Sequence, residues 1–262
     1  MAFEPAAEAA PATTEPNRRA LLGWAAVAVI VGAGAAIGGS LARAGARSVE
    51  AVRGAFRLPA VVKAAPPIPA SLDVTGVAPI ITPNNIFFRI DTALIVPQVD
   101  PAEWSLRIHG MVEQEVVLTW SELLALPLEE SITTLACVSN PVGGNLIGNA
   151  LWLGYPIREL LARAAPTADA DMVLSRSILA IGMNGEPLPV EHGFPVRMVV
   201  PGLYGYVSAT KWVTELEVTR FDRAEAYWTT RGWTAKGPIK LQSRIDVPRY
   251  GASVDAGPTV IA

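Results

Sequence analysis

An uncharged run from Ala20 to Ala42, preceded by Arg18-Arg19, limits what this chain can fold into more than any other stretch. It is long enough to cross a bilayer as a helix, and that length argues against a buried helix of a soluble domain. Gly23, Gly32, Gly34, Gly38 and Gly39 are tolerated in membrane helices and allow close helix packing. The alternative is a cleaved export signal. Asn17-Arg18-Arg19-Ala20-Leu21-Leu22 is similar to a twin-arginine start, and Ala42-Arg43-Ala44 or Ala44-Gly45-Ala46 offers a cleavage site. The long core favours a retained anchor over 18–42. Arg43, Arg47, Arg53 and Arg57 follow the run and by the positive-inside rule hold the next domain in the cytoplasm. A twin-arginine signal puts it outside. The expectation is a single-pass protein of the cell membrane with its folded domain on the extracytoplasmic side.

Residues 1–17, rich in Ala, Pro, Glu and Thr, are expected to be disordered. Residues 43–80 are expected to form a stalk, Pro-rich from Ala64 to Pro69. The remainder is expected to fold. Trp104 to Gly110 alternates apolar and polar residues and reads as a strand, and Val116-Val117-Leu118 as a second. Thr119 and Glu122 form a capping box that opens a helix. Ser131–Ala136, Met172–Leu174, Leu179–Met183, Val196–Val200 and Trp212–Val218 are further strands, and a helix is expected over Tyr155–Leu161 with Pro156 in its first turn. Strands and helices mix without a βαβ rhythm, which predicts an α+β fold with a mixed sheet.

The chain has one cysteine, Cys137, so no internal disulfide is possible. The thiol is either a buried filler or a reactive or metal-binding group. Its flanks favour the second reading. Asn140, Gly143, Gly144, Asn145, Gly148 and Asn149 suit a loop whose backbone approaches a ligand, not a packed element. With two histidines, His109 and His192, a zinc site of several Cys and His ligands is nearly excluded. A formal net charge of −3 gives no footprint for nucleic acid.

Other stretches draw attention beside the cysteine. Asn84-Asn85-Ile86-Phe87-Phe88-Arg89 reads as an Asn-rich turn entering a strand. Asn184-Gly185 is a tight-turn dipeptide, followed by His192-Gly193-Phe194-Pro195-Val196-Arg197. Pro201 to Trp212 joins glycines, hydroxyls and Lys211, a composition that can hold a phosphate. A soft-metal ligand together with an anion pocket suits a large phosphorylated cofactor whose metal takes one protein thiolate.

With those motifs in order, the chain resembles the molybdopterin-binding domain of the sulfite oxidase superfamily. It is most similar to the bacterial membrane-anchored oxidoreductases related to the protein-methionine-sulfoxide reductase catalytic subunit. The resemblance covers about Thr82 to Val247, so 81–247 is expected to be the oxidoreductase domain. It implies Mo-molybdopterin as cofactor, cycling between Mo(VI) and Mo(IV) in two-electron oxygen-atom transfer. It makes Cys137 the catalytic thiolate bound to molybdenum. Asn85, Phe88 and Arg89 match the family's first pterin-contacting stretch, with Phe88 where relatives often carry Tyr. His192 and Arg197 match pterin or phosphate contacts, and Ser208, Ala209, Thr210 and Lys211 the turn that receives the phosphate. Asn140, Asn145 and Asn149 are read as loop-shaping. Tyr204 and Tyr206 either line the cavity or pack. After Cys137 the chain reads Pro141-Val142-Gly143-Gly144 and lacks an Arg-Arg pair, which favours a sulfoxide- or N-oxide-type substrate over sulfite. No second cysteine or haem motif is present, so electrons are expected from a separate haem- or quinone-linked partner.

The sequence departs from the family pattern twice. Ser175-Arg176-Ser177 runs straight into Ile178, where relatives carry an extended segment with a loop and a helix; Ser177 is read as the surviving start of that pterin-contacting pattern. Residues 248–262 are similar to the opening strand of a C-terminal β-sandwich that then stops, leaving an unpaired edge. These departures keep open an alternative: a cofactor-free remnant acting as a membrane-tethered binding or interaction module. A thiol enzyme built on Cys137 and a histidine is disfavoured by the lack of a Cys-His-Asn order.

Overall fold

The computed structural model describes residues 49–68, 70, 74–171, 178–249 and 251–262. The expected membrane-spanning run at 18–42, the strand expected at Met172–Leu174 and the candidate Ser177 lie outside the described residues. Among the described residues no helix is long and apolar enough to cross a membrane.

The domain is mixed α and β, built on two sheets. The first has the order β2-β1-β8. Strand β1 (Ser105–Gly110) pairs antiparallel with β2 (Val116–Thr119) and parallel with β8 (Glu215–Val218). The alternation read in the sequence is the burial pattern itself: Leu106 and Ile108 are buried, while Ser105 and Arg107 face solvent. Helix α2 (Trp120–Leu124) opens on the expected capping box, with the Thr119 N–H donating to Glu122 Oε2 at 2.8 Å.

The second sheet is antiparallel and holds the site. Its order is β3 (Glu129–Ala136), β4 (Ile147–Pro156), β5 (Ile178–Met183) and β6 (Glu186–Pro187), with β7 (Arg197–Val199) also paired to β5. Strand β5 is buried along its whole length, since both faces of the sheet are covered. Leu179 and Ile181 join one core with Leu106, Ile108, Leu123 and Leu160. Ile178, Ala180 and Met183 join the other with Trp152, Phe87 and Phe194. Asn184 and Gly185, at φ +53° and +81°, make the tight turn from β5 to β6 that their sequence announced.

Several expectations are corrected. The Gly/Asn-rich stretch is a loop only between β3 and β4; from Ile147 it is a ten-residue strand, because pairing with β3 satisfies its backbone and outweighs the low strand propensity of Gly148 and Asn149. Tyr155 and Pro156 end that strand, and the helix α3 spans Ile157–Ala164 with Pro156 as its N-cap. Segment 84–89 forms turns and does not enter a strand. Part of the stretch expected as a stalk packs on the domain, through 49–58. The described part of helix α1, 49–55, places Val49 in the second core; Phe56 packs against both cores and Leu58 against the first. Arg53 donates to the carbonyls of Leu188 and Pro187, and Lys63 forms a parallel bridge to Glu129 at the edge of β3. Residues 252–262 form no strand; the Ala262 N–H donates to the Val247 carbonyl at 2.9 Å, and the Val247 N–H donates back to Ala262.

Candidate functional site

Cys137 is the first residue past β3. Its N–H donates to the Leu146 carbonyl at 2.9 Å, which carries the ladder one step beyond the strand. Asn140 closes the loop behind it. The Asn140 N–H donates to the Cys137 carbonyl at 3.0 Å, and its side-chain oxygen accepts from the Leu146 N–H at 2.7 Å. Asn149 pins the next strand by donating to the Ile80 carbonyl at 3.0 Å. The cysteine side chain is partly exposed and faces a cavity of about 430 Å³. That size lies in the range of small-molecule sites.

Arg197 opens β7, beyond β4 and β5 from the cysteine, and lines the same cavity. Arg197 is 4% exposed, and its guanidinium lies over the Trp152 ring at 4.9 Å. It donates from Nη1 to the His192 carbonyl at 3.1 Å and makes a long 3.5 Å contact from Nη2 to the Ala209 carbonyl. Its Nε has no partner, and no acidic group among the described residues pairs with it. Burial pushes the guanidinium down to about 9, still cationic at neutral pH. A buried cation without a counter-charge is costly unless an anion arrives.

His192 is held edge-on to Phe87 with ring centroids 5.6 Å apart, and Nε2 lies 3.3 Å from the Asn84 carbonyl. Burial, then the neighbouring Arg197 charge, lowers its pKa to about 4, so it is neutral near pH 7. Lys211 follows the short helix α4 (Gly205–Ser208) and is fixed beside β7 by the Met198 N–H donating to the Thr210 carbonyl at 2.8 Å. Its Nζ donates to Asp91 Oδ2 at 2.6 Å and to the Glu191 carbonyl at 3.0 Å. Burial lowers the Lys211 ammonium, opposed by the Asp91 carboxylate.

Of the residues singled out in the sequence, the fold brings Phe88, Cys137, His192, Arg197, Ala209, Thr210 and Lys211 to one cavity. Asn85 is exposed and does not line it. Its neighbour Asn84 is the structural member of that pair, donating to the Met183 carbonyl at 3.2 Å and accepting from Asn184 Nδ2 at 2.7 Å. Arg89 points to Asp91, 2.9 Å away, and not into the cavity. The Ser208 hydroxyl is turned into its own helix, toward the Tyr204 and Leu203 carbonyls at 2.9 and 3.1 Å. Tyr206 lines the cavity and Tyr204 does not. Sequence reasoning missed Asp91 and the aromatic wall of Tyr227, Trp228 and Trp233. The crowding of aromatics into 227–233 was the available signal; Asp91 had none.

The cavity thus brings together the chain's one thiol and a guanidinium with no acidic partner among the described residues, a pairing that suits a ligand with an anionic part. The chain belongs to the oxidoreductase molybdopterin-binding domain family, which it matches over 93–178 and 173–228, two pieces that meet where the sequence departs from the pattern. It is 29% identical to the mitochondrial sulfite oxidase of Rattus norvegicus over 241 residues, 69% of this chain and 44% of that one. The protein-methionine-sulfoxide reductase catalytic subunit MsrP of Burkholderia mallei is 29% identical, covering 96% of this chain and 84% of the relative. The sulfane dehydrogenase SoxCD from Paracoccus pantotrophus is similar in structure at a TM-score of 0.48 and 28% identity, over 54% of this chain and 44% of that one. The chain thus spans about half the length, or less, of the sulfite oxidases it matches.

Proposed function

We propose that this protein is a molybdenum-dependent oxidoreductase that holds Mo-molybdopterin and transfers an oxygen atom, with two electrons, on a sulfoxide- or N-oxide-type substrate, small or protein-borne. The observation that carries the reading is the buried Arg197, whose Nε lacks a partner in the same cavity as the chain's one thiol. Those residues fit the cofactor: an anion satisfies the guanidinium, and the thiolate suits a soft metal. When bound, the cofactor supplies the redox chemistry. Cys137 would be its protein ligand and the residue on which catalysis depends. Arg197 and Lys211, with the backbone of Ala209 and Thr210, would bind the phosphate. Neutral His192 and the Phe88 ring would orient the pterin. Asn85, Arg89, Ser177 and Ser208 enter this reading through their place in the family's pattern.

The substrate preference follows from charge. Arg197 and Lys211 are the basic residues lining the cavity, apart from neutral His192, and both are committed to the cofactor's anion. The rest of the wall carries an aromatic cluster, with Tyr206 and Trp233 rings 5.5 Å apart and Trp228 beyond. Such a wall suits a neutral sulfur compound better than a sulfite anion, because thioether sulfur packs well on aromatic edges. The Burkholderia relative, named as a methionine-sulfoxide reductase catalytic subunit and matched along most of both chains, supports the same class and a separate electron-donating subunit. The reading includes a single membrane anchor at 18–42 with the domain extracytoplasmic.

Metal analysis of the full chain from a molybdopterin-producing host, beside Cys137→Ala, tests it. Near-stoichiometric molybdenum, with activity on sulfoxides that the Ala variant loses, is the expected result. A folded wild type without molybdenum would overturn the oxidoreductase reading and leave the membrane-tethered binding module.

A further inference from the structure

Residues 89–95 form part of the cavity wall through Ile90, Asp91, Thr92 and Ala93, yet little fixes them there. Phe88 before and Val96 after are packed on the second core. Between them the hydrogen bonds among the described residues are internal, with one exception. Arg89 Nε donates to Asp91 Oδ2 at 2.9 Å and the Ala93 N–H to Asp91 Oδ1 at 3.0 Å. The exception is Lys211 Nζ, which donates to Asp91 Oδ2 at 2.6 Å. Leu94 and Ile95 turn their side chains to solvent, 103% and 74% exposed, and contribute no burial. Few buried contacts and one polar tie are the marks of a segment with low local stability.

The tie engages the group that the proposed function assigns to the cofactor's phosphate, and the inference rests on that reading. An ammonium cannot hold a carboxylate and a phosphate side by side without their repulsion, and the phosphate carries about two charges against one. We propose that 89–95 is a strap latched shut by Asp91 on Lys211 in the cofactor-free protein, and that the incoming phosphate takes Asp91's place and releases the strap. Arg89, paired with Asp91 within the strap, moves with it.

The test uses the full chain made in a host that lacks pterin-cofactor synthesis. Amide hydrogen exchange of 89–95 is followed in the wild type and in Asp91→Asn, with and without inorganic phosphate. Loss of a charge-assisted hydrogen bond predicts exchange about ten- to a hundredfold faster in the variant. Phosphate is expected to speed exchange of 89–95 in the wild type and to change nothing there in the variant, with β4 and β5 protected throughout. Equal protection of 89–95 in both proteins, or phosphate that fails to speed exchange in the wild type, overturns the latch. If the variant loses protection in β4 and β5 as well, the wild-type phosphate arm decides alone. Because the starting protein carries no cofactor, molybdenum content in loaded preparations bears on the proposed function and not on this result.

Discussion

Arg197 donates to the backbone carbonyl of His192 at 3.1 Å, which sets a buried guanidinium beside a buried imidazole with no carboxylate between them. The arrangement is unfavourable for a cofactor-free protein and favourable for one that holds an anion.

Arg197→Met removes the uncompensated charge and keeps the apolar packing on Trp152. Replacing a buried charge with an apolar side chain of similar length is expected to leave the cofactor-free protein as stable or to stabilise it by roughly 1–2 kcal/mol. The same variant should lose most of its molybdenum. Urea denaturation of the cofactor-free protein and metal analysis of the loaded one read the two effects separately. A destabilised cofactor-free variant would show that the cation is structural.

His192 gives a pH dependence whose sign is set by burial. Its folded pKa, about 4, lies below the ordinary histidine value of 6.5, so the unfolded chain binds more protons between those pH values. Stability is complete above the unfolded value and falls as pH drops toward 4, by about 1 kcal/mol per pH unit. Below 4 this contribution flattens. The surrounding charges of Arg197 and Lys211 lower it further, and that of Glu191 opposes them without reversing the sign. Thermal unfolding of the cofactor-free protein from pH 7 downward should show the slope, and His192→Gln should remove it.

Gly148 faces Phe87, and a Cβ built there would lie 2.6 Å from the ring. Phe87 also packs against Trp152 and His192 at 5.8 and 5.6 Å, so it cannot yield without moving the site. Gly148→Ala is expected to cost about 1–3 kcal/mol by overpacking. It should also weaken cofactor retention, which a variant on the far sheet would not.

Asn184 ties three segments together. Its side chain donates to the Thr82 carbonyl at 2.9 Å and to Asn84 at 2.7 Å, and accepts from the Leu151 N–H at 2.9 Å. Its φ of +53° is one that glycine and asparagine adopt readily. Asn184→Ala should cost roughly 2–4 kcal/mol through strain and unpaired polar groups. Asn184→Gly relieves the strain but still loses the side-chain hydrogen bonds, so it should fall between. Chemical denaturation midpoints rank the three proteins.

Strand alternation in Ser105–Gly110, the Thr119–Glu122 capping box and the Asn184-Gly185 turn were legible because each depends on neighbours a few residues away. The cysteine, Arg197 and Lys211 were legible as motif members. What each side chain faces was not, since it depends on pairings across the chain. Gly148 and Asn149 became strand only because β3 lies beside them, and Asn84 rather than Asn85 became the anchor because Asn184, far along the chain, reaches it. The sequence by itself determined the family, the one thiol and the local turns and caps, all short-range or compositional. Only the tertiary structure decided that Arg197 has no counter-charge among the described residues, that Ser208 turns away from the cavity and that Asp91 holds Lys211, because burial and ion pairing belong to segments that meet in space.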